Sequence, residues 1–149
     1  MSRQGQVQAI PASVAKESLD QIKRDPTFIA AHADDPKFTF TANGSEKISN
    51  VDAKIVDVNA DGTALRWYVD PATGVLLRES YTATGQSGPF HGETDLSEWK
   101  TFDGISIPTR HTNRQDGKDA SVVVFTDVHI NPEVDPKLFD IPAATDAAK

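Results

Sequence analysis

The stretch Ala64 to Tyr81, ALRWYVDPATGVLLRESY, constrains this chain more than any other, because it reads as a complete β-hairpin. Leu65, Trp67 and Val69 alternate with Arg66 and Tyr68, the period of a strand with two distinct faces. Asp70-Pro71-Ala72-Thr73-Gly74 turns the chain. Asp accepts local backbone hydrogen bonds, Pro presets φ at the first turn position, and Gly takes the left-handed position without steric cost. Val75 to Tyr81 forms the return strand.

With Asp70 paired to Val75, the register predicts Trp67 opposite Arg78, Arg66 opposite Glu79, and Tyr68 opposite Leu77. These are a cation over an indole, an ion pair, and an aromatic on an aliphatic, each contributing roughly 0.2–1 kcal/mol. A slip of one residue breaks all three together.

The remaining sequence supplies more antiparallel sheet. Gln6 to Ile10 suggests a short edge strand, ended by Pro11, and Gly5 to Ile10 resembles the last strand of something already under way. Ser13 is placed to cap a helix running to about Arg24, with Val14, Leu19 and Ile22 as its sheet-facing stripe. Asp25-Pro26 restarts a helical turn through Phe28, Ile29 and Ala31. Strands follow from Lys37 to Ala42, with Phe38 and Phe40 on one face, and from Glu46 to Val58, with a bulge or turn expected near Asn50 and Asn43-Gly44 as the hairpin signal between the two. Asn59 to Gly62 leads into the central hairpin, and Thr82 to Pro89 reads as a turn rich in Gly, Ser and Thr. Further strands are predicted over Phe90 to Trp99, from Ile105, and within Ala120 to Ile130, with turns at Phe102-Asp103-Gly104 and Gln115-Asp116-Gly117. Pro108 fits only at an edge or an irregularity. Leu138, Phe139 and Ile141 supply a packing tail, and residues 143–149 are expected to fray. The expected fold class is α+β: a curled antiparallel meander of about seven strands with one or two N-terminal helices on one face.

At 149 residues the chain suits one domain, assigned to residues 5–142 and, from the abrupt start at Gly5 to Ile10, expected to be truncated at its N-terminal side. A net charge of −7 argues against nucleic acid and against an anionic membrane surface. No apolar run is long enough for a transmembrane segment, and the first residues lack the apolar stretch of a secretory signal. With no cysteine there is no thiol nucleophile, disulfide or thiolate metal site.

Motifs for chemistry are incomplete. Asp57-Val58-Asn59-Ala60-Asp61-Gly62 opens like a calcium loop, but the twelfth position, which requires a bidentate carboxylate, is Tyr68. It reads as a polar turn. His91, Glu93 and His111 fall on neighbouring strands, but zinc needs at least three converging ligands, so solvated histidines are the expectation. His32 and His129 are more isolated still. No nucleophile elbow, phosphate-binding glycine loop or dinucleotide fingerprint is present. The expectation is a protein that is not an enzyme and carries no cofactor or metal.

The runs Leu65-Arg66-Trp67-Tyr68-Val69-Asp70-Pro71-Ala72-Thr73-Gly74-Val75-Leu76-Leu77-Arg78, Trp99-Lys100-Thr101-Phe102-Asp103-Gly104-Ile105-Ser106-Ile107-Pro108, and Ile130-Asn131-Pro132 with Asp135-Pro136-Lys137-Leu138-Phe139 resemble bacterial outer-membrane lipoprotein-carrier (lipoprotein-sorting) domains. They are especially similar to versions found as C-terminal extensions of pitrilysin/insulinase-like zinc peptidases. The resemblance implies a half-open β-barrel crossed by helices, in a periplasmic or cell-envelope protein, with a hollow that shields acyl chains. It carries over no functional residue, and no peptidase metal motif accompanies it.

The expected function is non-enzymatic binding of an apolar ligand such as lipid or lipoprotein acyl chains. The ligand-binding candidates are Phe38, Phe40, Leu65, Trp67, Val69, Leu76, Phe90 and Trp99, which otherwise serve as core. The alternative is an accessory, protein-interaction domain of a larger envelope protein, packed on a neighbouring domain of the same chain.

Overall fold

A computed structural model describes residues 2–3, 6–7, 9–85 and 87–140. Gly5, Ile141 and the tail 143–149, named above, lie outside them, as does Gln8 within the expected first strand. Two short strands, β1 (Ser2–Arg3) and β2 (Gln6–Val7), pair with each other and precede helices α1 (Ala12–Arg24) and α2 (Pro26–Ala31). Seven antiparallel strands follow: β3 (Phe38–Ile48), β4 (Val51–Ala60), β5 (Thr63–Val69), β6 (Leu76–Gly85), β7 (Gly88–Phe102), β8 (Ile105–Gln115) and β9 (Lys118–Val124). They pair strictly in chain order, and β3 does not meet β9, so the curled sheet is an unclosed half-barrel. This is the α+β meander that the sequence predicts.

The turns show why the meander is so regular. Asp61-Gly62, Asp103-Gly104 and Asp116-Gly117 each place both residues at positive φ, the backbone that a two-residue hairpin needs to match strand twist. In the central hairpin the Asp70 N–H donates to the Val75 carbonyl at 2.9 Å, and Asp70 Oδ1 accepts from the Ala72 N–H at 2.9 Å. Gly74 takes φ +74°. Beyond this turn the register departs from expectation. Val69 faces Leu76, but a bulge then shifts the ladder, so Tyr68 faces Arg78, Trp67 faces Glu79 and Arg66 faces Ser80. All three expected cross-strand pairs are displaced by one residue, which swaps the two faces of β6.

Other boundaries move for similar reasons. Asn43-Gly44 makes no hairpin but sits within β3 at a bulge between Ala42 and Ser45, and the reversal comes at Ser49-Asn50, where the sequence also signals a bulge or turn. Strands β6 and β7 extend through most of the expected Gly-rich turn until Gly85 faces Gly88. Pro108 lies opposite Trp99, past the last β8–β9 ladder pair, beside an irregularity where Glu98 has φ +54°. There Thr109 Oγ1 donates to the Glu98 carbonyl at 2.6 Å. Leu138 and Phe139, expected to pack, are exposed on a 3-10 turn, Pro136–Phe139.

Helix α1 is inverted relative to its expected orientation. Its N-cap is Pro11, without a side-chain cap, and Val14, Leu19 and Ile22 are exposed. Its sheet-facing side is polar instead. Asp20 accepts from Thr63 Oγ1, Lys23 donates to the Asp61 carbonyl and carboxylate at 2.8 Å, and Arg24 is buried. Asp25 then caps α2 by accepting from the N–H groups of Thr27 and Phe28.

The two core clusters centre on β3 to β5, with Leu76, Ala83 and Leu96 buried farther along the sheet. Ile29 of α2 packs with Phe38, Val58, Ala60 and Leu65, joined by Phe28, Val56, Trp67 and Tyr81. On the opposite face Ile48, Ala53, Ile55 and Tyr68 form a smaller cluster with Leu77.

Candidate functional site

Where α1 and α2 meet, the helices overhang β6 to β9 without filling the space below. A cavity of about 570 Å³ remains, within the common range of roughly 300–1,000 Å³ for small-molecule sites. Its roof is Glu17, Gln21, Arg24, Asp25 and Pro26; its floor runs from Glu79, Tyr81 and Ala83 through Phe90, Thr94 and Leu96 to His111, Asn113, Val123 and Phe125. Register explains the floor: Glu79 faces Thr94, Thr94 faces Asn113, and Leu96 faces His111, which faces Val123. Alternate residues of four successive strands thus share one face.

The polar groups fall into two sets. One set is satisfied: Arg24 donates to Glu17 Oε1 at 2.5 Å, Glu17 Oε2 accepts from the Thr84 N–H at 3.0 Å, and the Arg24 guanidinium carbon lies 4.5 Å from the centre of the Tyr81 ring. Thr94 Oγ1 donates to Asn113 Oδ1, and Asn113 Nδ2 donates to Ser121 Oγ, both at 3.0 Å. The other set is open. Glu79 is only 9% exposed, and its Oε2 has no hydrogen-bond partner among the described residues. His111 Nε2 is likewise buried and unpartnered among them, with its ring edge-on to Phe125 at 5.1 Å.

Electrostatics follow from burial. Removal from water pushes the Glu79 carboxyl up to about 8, the Asp25 charge adds to this, and Arg24 opposes it. At neutral pH Glu79 is mostly protonated. Burial also lowers the His111 pKa, favouring neutral imidazole, although the Pro108 backbone hydrogen bond and Asp25 pull the other way.

Of the eight residues singled out for ligand binding, Phe90 alone borders this cavity. Phe38 and Leu65 belong to the core under α2, with Trp67 packed against it, and Phe40 meets Trp67 at 6.0 Å between ring centres. Val69 and Leu76 close the central hairpin, and Trp99 lies opposite Pro108. His91 and His111 do not converge: His91 faces Thr82, while His111 faces Leu96. The described residues contain no cluster of three or more His, Cys, Asp or Glu able to hold a metal. The calcium-like run is dispersed, with Asp57 bound to Arg66 and Asn43, and Asp61 bound to Lys23.

Sequence reasoning gives Glu79 and Arg24 no place in a site and weighs His111 only as a metal ligand. The available signal is Glu79 itself, in alternation with Tyr81 and Ala83, but pairing it with Arg66 puts it on the wrong face.

The fold and site thus define an open antiparallel half-barrel crossed by helices, with a mixed polar and aromatic chamber at one end. No protein-family model, curated protein or solved structure matches the chain.

Proposed function

We propose that this chain is a non-enzymatic, lipoprotein-carrier-like binding domain of the cell envelope, whose half-barrel takes up an apolar ligand such as a lipid or acyl chain. The supporting observation is the cavity of about 570 Å³, with Ala83, Phe90, Leu96, Val123 and Phe125 among its walls. Apolar walls favour apolar ligands because burial gains roughly 25 cal/mol per Å² removed from water. A direct test is titration with the fluorescent probe N-phenyl-1-naphthylamine, together with mass spectrometry of lipid copurified with the protein. Saturable fluorescence lost on widening Ala83 and Leu96 to Trp supports the reading. A probe signal that stays linear at high protein concentration overturns it.

A second reading, an accessory domain packed on a neighbour within a larger envelope protein, draws on a different observation. Val14, Leu19 and Ile22 point away from the sheet, and all seven residues of edge strand β9 are exposed. Unpartnered apolar faces of this kind suit protein contacts. Hydrogen exchange tests it: amides of α1 and β9 gain protection in the intact envelope protein relative to this chain alone, and equal exchange in both contradicts it.

A further inference from the structure

The cavity's polar content goes beyond what an acyl chain requires. A buried acid without a hydrogen-bond partner loses its hydration and gains nothing in return, a cost of about 1–3 kcal/mol or more. Glu79 Oε2 is in that position, on a side chain nine-tenths buried on the cavity floor. Arg24 relieves it only in part, because it already binds Glu17 and stacks on Tyr81. Asp25, in the roof, spends its carboxylate on capping α2 and contributes further negative potential. Phe90 and Phe125 present rings to the same space. A carboxyl group with aromatic rings around it is the chemistry that holds an organic cation, since both attract positive charge more strongly out of water than in it.

We propose that the cavity selects amphiphiles bearing a protonated amine, with the ammonium group held by Glu79 and the apolar chain lying against Phe90, Leu96 and Phe125. The proposal rests on the binding function above and adds the head group to it. Arg24 and Glu17 neutralise one another, His111 is neutral, and Thr94 and Asn113 are mutually bonded. Asp25 therefore gives the chamber its negative sign, and Glu79 is a group able to ionise against a cation. A carboxylate head would meet the Asp25 charge and hold Glu79 in its protonated form, and an alcohol head would gain no charge pairing.

Because Glu79 is mostly protonated when the cavity is empty, binding near pH 7 exchanges a proton for the cation. The carboxylic acid and the alkylammonium give a carboxylate–ammonium pair, and the released proton passes to the buffer. The titratable and charged groups that line the cavity with Glu79 are Glu17, Arg24 and Asp25 from the helices, Tyr81 from β6 and His111 from β8.

The test compares decylamine, decanoate and decanol by isothermal titration calorimetry at pH 7 in buffers of different ionisation enthalpy. Decylamine is expected to bind at least about tenfold more tightly than decanoate, with net proton release that decanol does not show. In Glu79→Gln, which keeps shape and burial, the preference collapses and proton release disappears, while decanol binding persists. Equal binding of all three ligands, tighter decanoate, or an amine preference that survives in Glu79→Gln overturns the head-group assignment and leaves the apolar-binding function standing. Failure of all three ligands to bind the wild-type chain overturns both.

Discussion

Arg24 and Tyr81 meet where the first helix crosses the sheet, with the guanidinium carbon 4.5 Å from the ring centre and one arm of the fork on Glu17. Arg24 is 6% exposed, so its removal strands Glu17 in a partly desolvated position and uncovers the ring. Arg24→Ala is expected to cost about 3 kcal/mol, the low end for breaking a buried pair, because Glu17 keeps some contact with water. The midpoint of urea unfolding measures it, with an unchanged slope showing that the fold survives.

Tyr81 also covers Gly92, its partner on β7. A Cβ at Gly92 would lie 2.5 Å from Tyr81 Cε2 and 2.8 Å from Cζ. The ring has no easy escape, since Arg24 holds it against the sheet. Gly92→Ala is therefore expected to destabilise by about 1–3 kcal/mol through overpacking. In a Tyr81→Ala background the same change should cost almost nothing, and a double-mutant cycle on thermal unfolding reads the coupling.

Stability should fall as pH rises from about 6.5 to 8. Glu79 keeps its proton up to about 8 in the folded protein but releases it near 4.5 once unfolded, so the unfolded chain binds fewer protons throughout the interval. Stability then declines with rising pH by up to about 1.4 kcal/mol per unit, and the loss is complete above the folded value. His111 has the opposite sign. Its folded pKa lies below 6.5, so its contribution rises with pH up to that point and is constant beyond it. The window above 6.5 thus isolates Glu79, and Glu79→Gln should flatten the urea midpoint across it.

On the face away from the helices, Asp95 holds two cations at once, Arg78 Nε at 2.5 Å and Arg114 at 2.5 Å. Burial pushes the Asp95 carboxyl up, but hydrogen bonds from Arg78 and Arg114 outweigh it and keep the pKa below the usual carboxylate value. Its stabilisation is present above about pH 4 and lost as pH falls through the folded value. Asp95→Asn leaves Arg78 and Arg114 with their longer contacts to Glu93, 3.6 and 4.0 Å, and should cost about 1 kcal/mol at low salt, less in molar salt.

The meander was legible because its signals are local. Asp61-Gly62, Asp103-Gly104 and Asp116-Gly117 carry their turn geometry in two residues, whatever surrounds them. The site was not, because it depends on a bulge near Leu77 that no residue type announces. That single irregularity turned Glu79 from a surface ion-pair partner into a buried acid facing Trp67. The orientation of α1 was hidden for a related reason. Its apolar stripe is real, but hydrogen bonds from Thr63 and to Asp61 favour the polar side against the sheet. Pattern reveals that a helix has two sides, and tertiary partners decide which one is covered.

The packed half of the sheet is held by Ile29, Phe38, Val58 and Leu65, whereas the chamber is floored by residues of β6 to β9 such as Phe90, His111 and Phe125. The tightly packed stretch and the open one are therefore different parts of one ribbon, joined through Tyr81, which touches both. Substitution at Phe90 or Phe125 leaves the cluster under α2 untouched, so one end of the ribbon can stay fixed while the other varies.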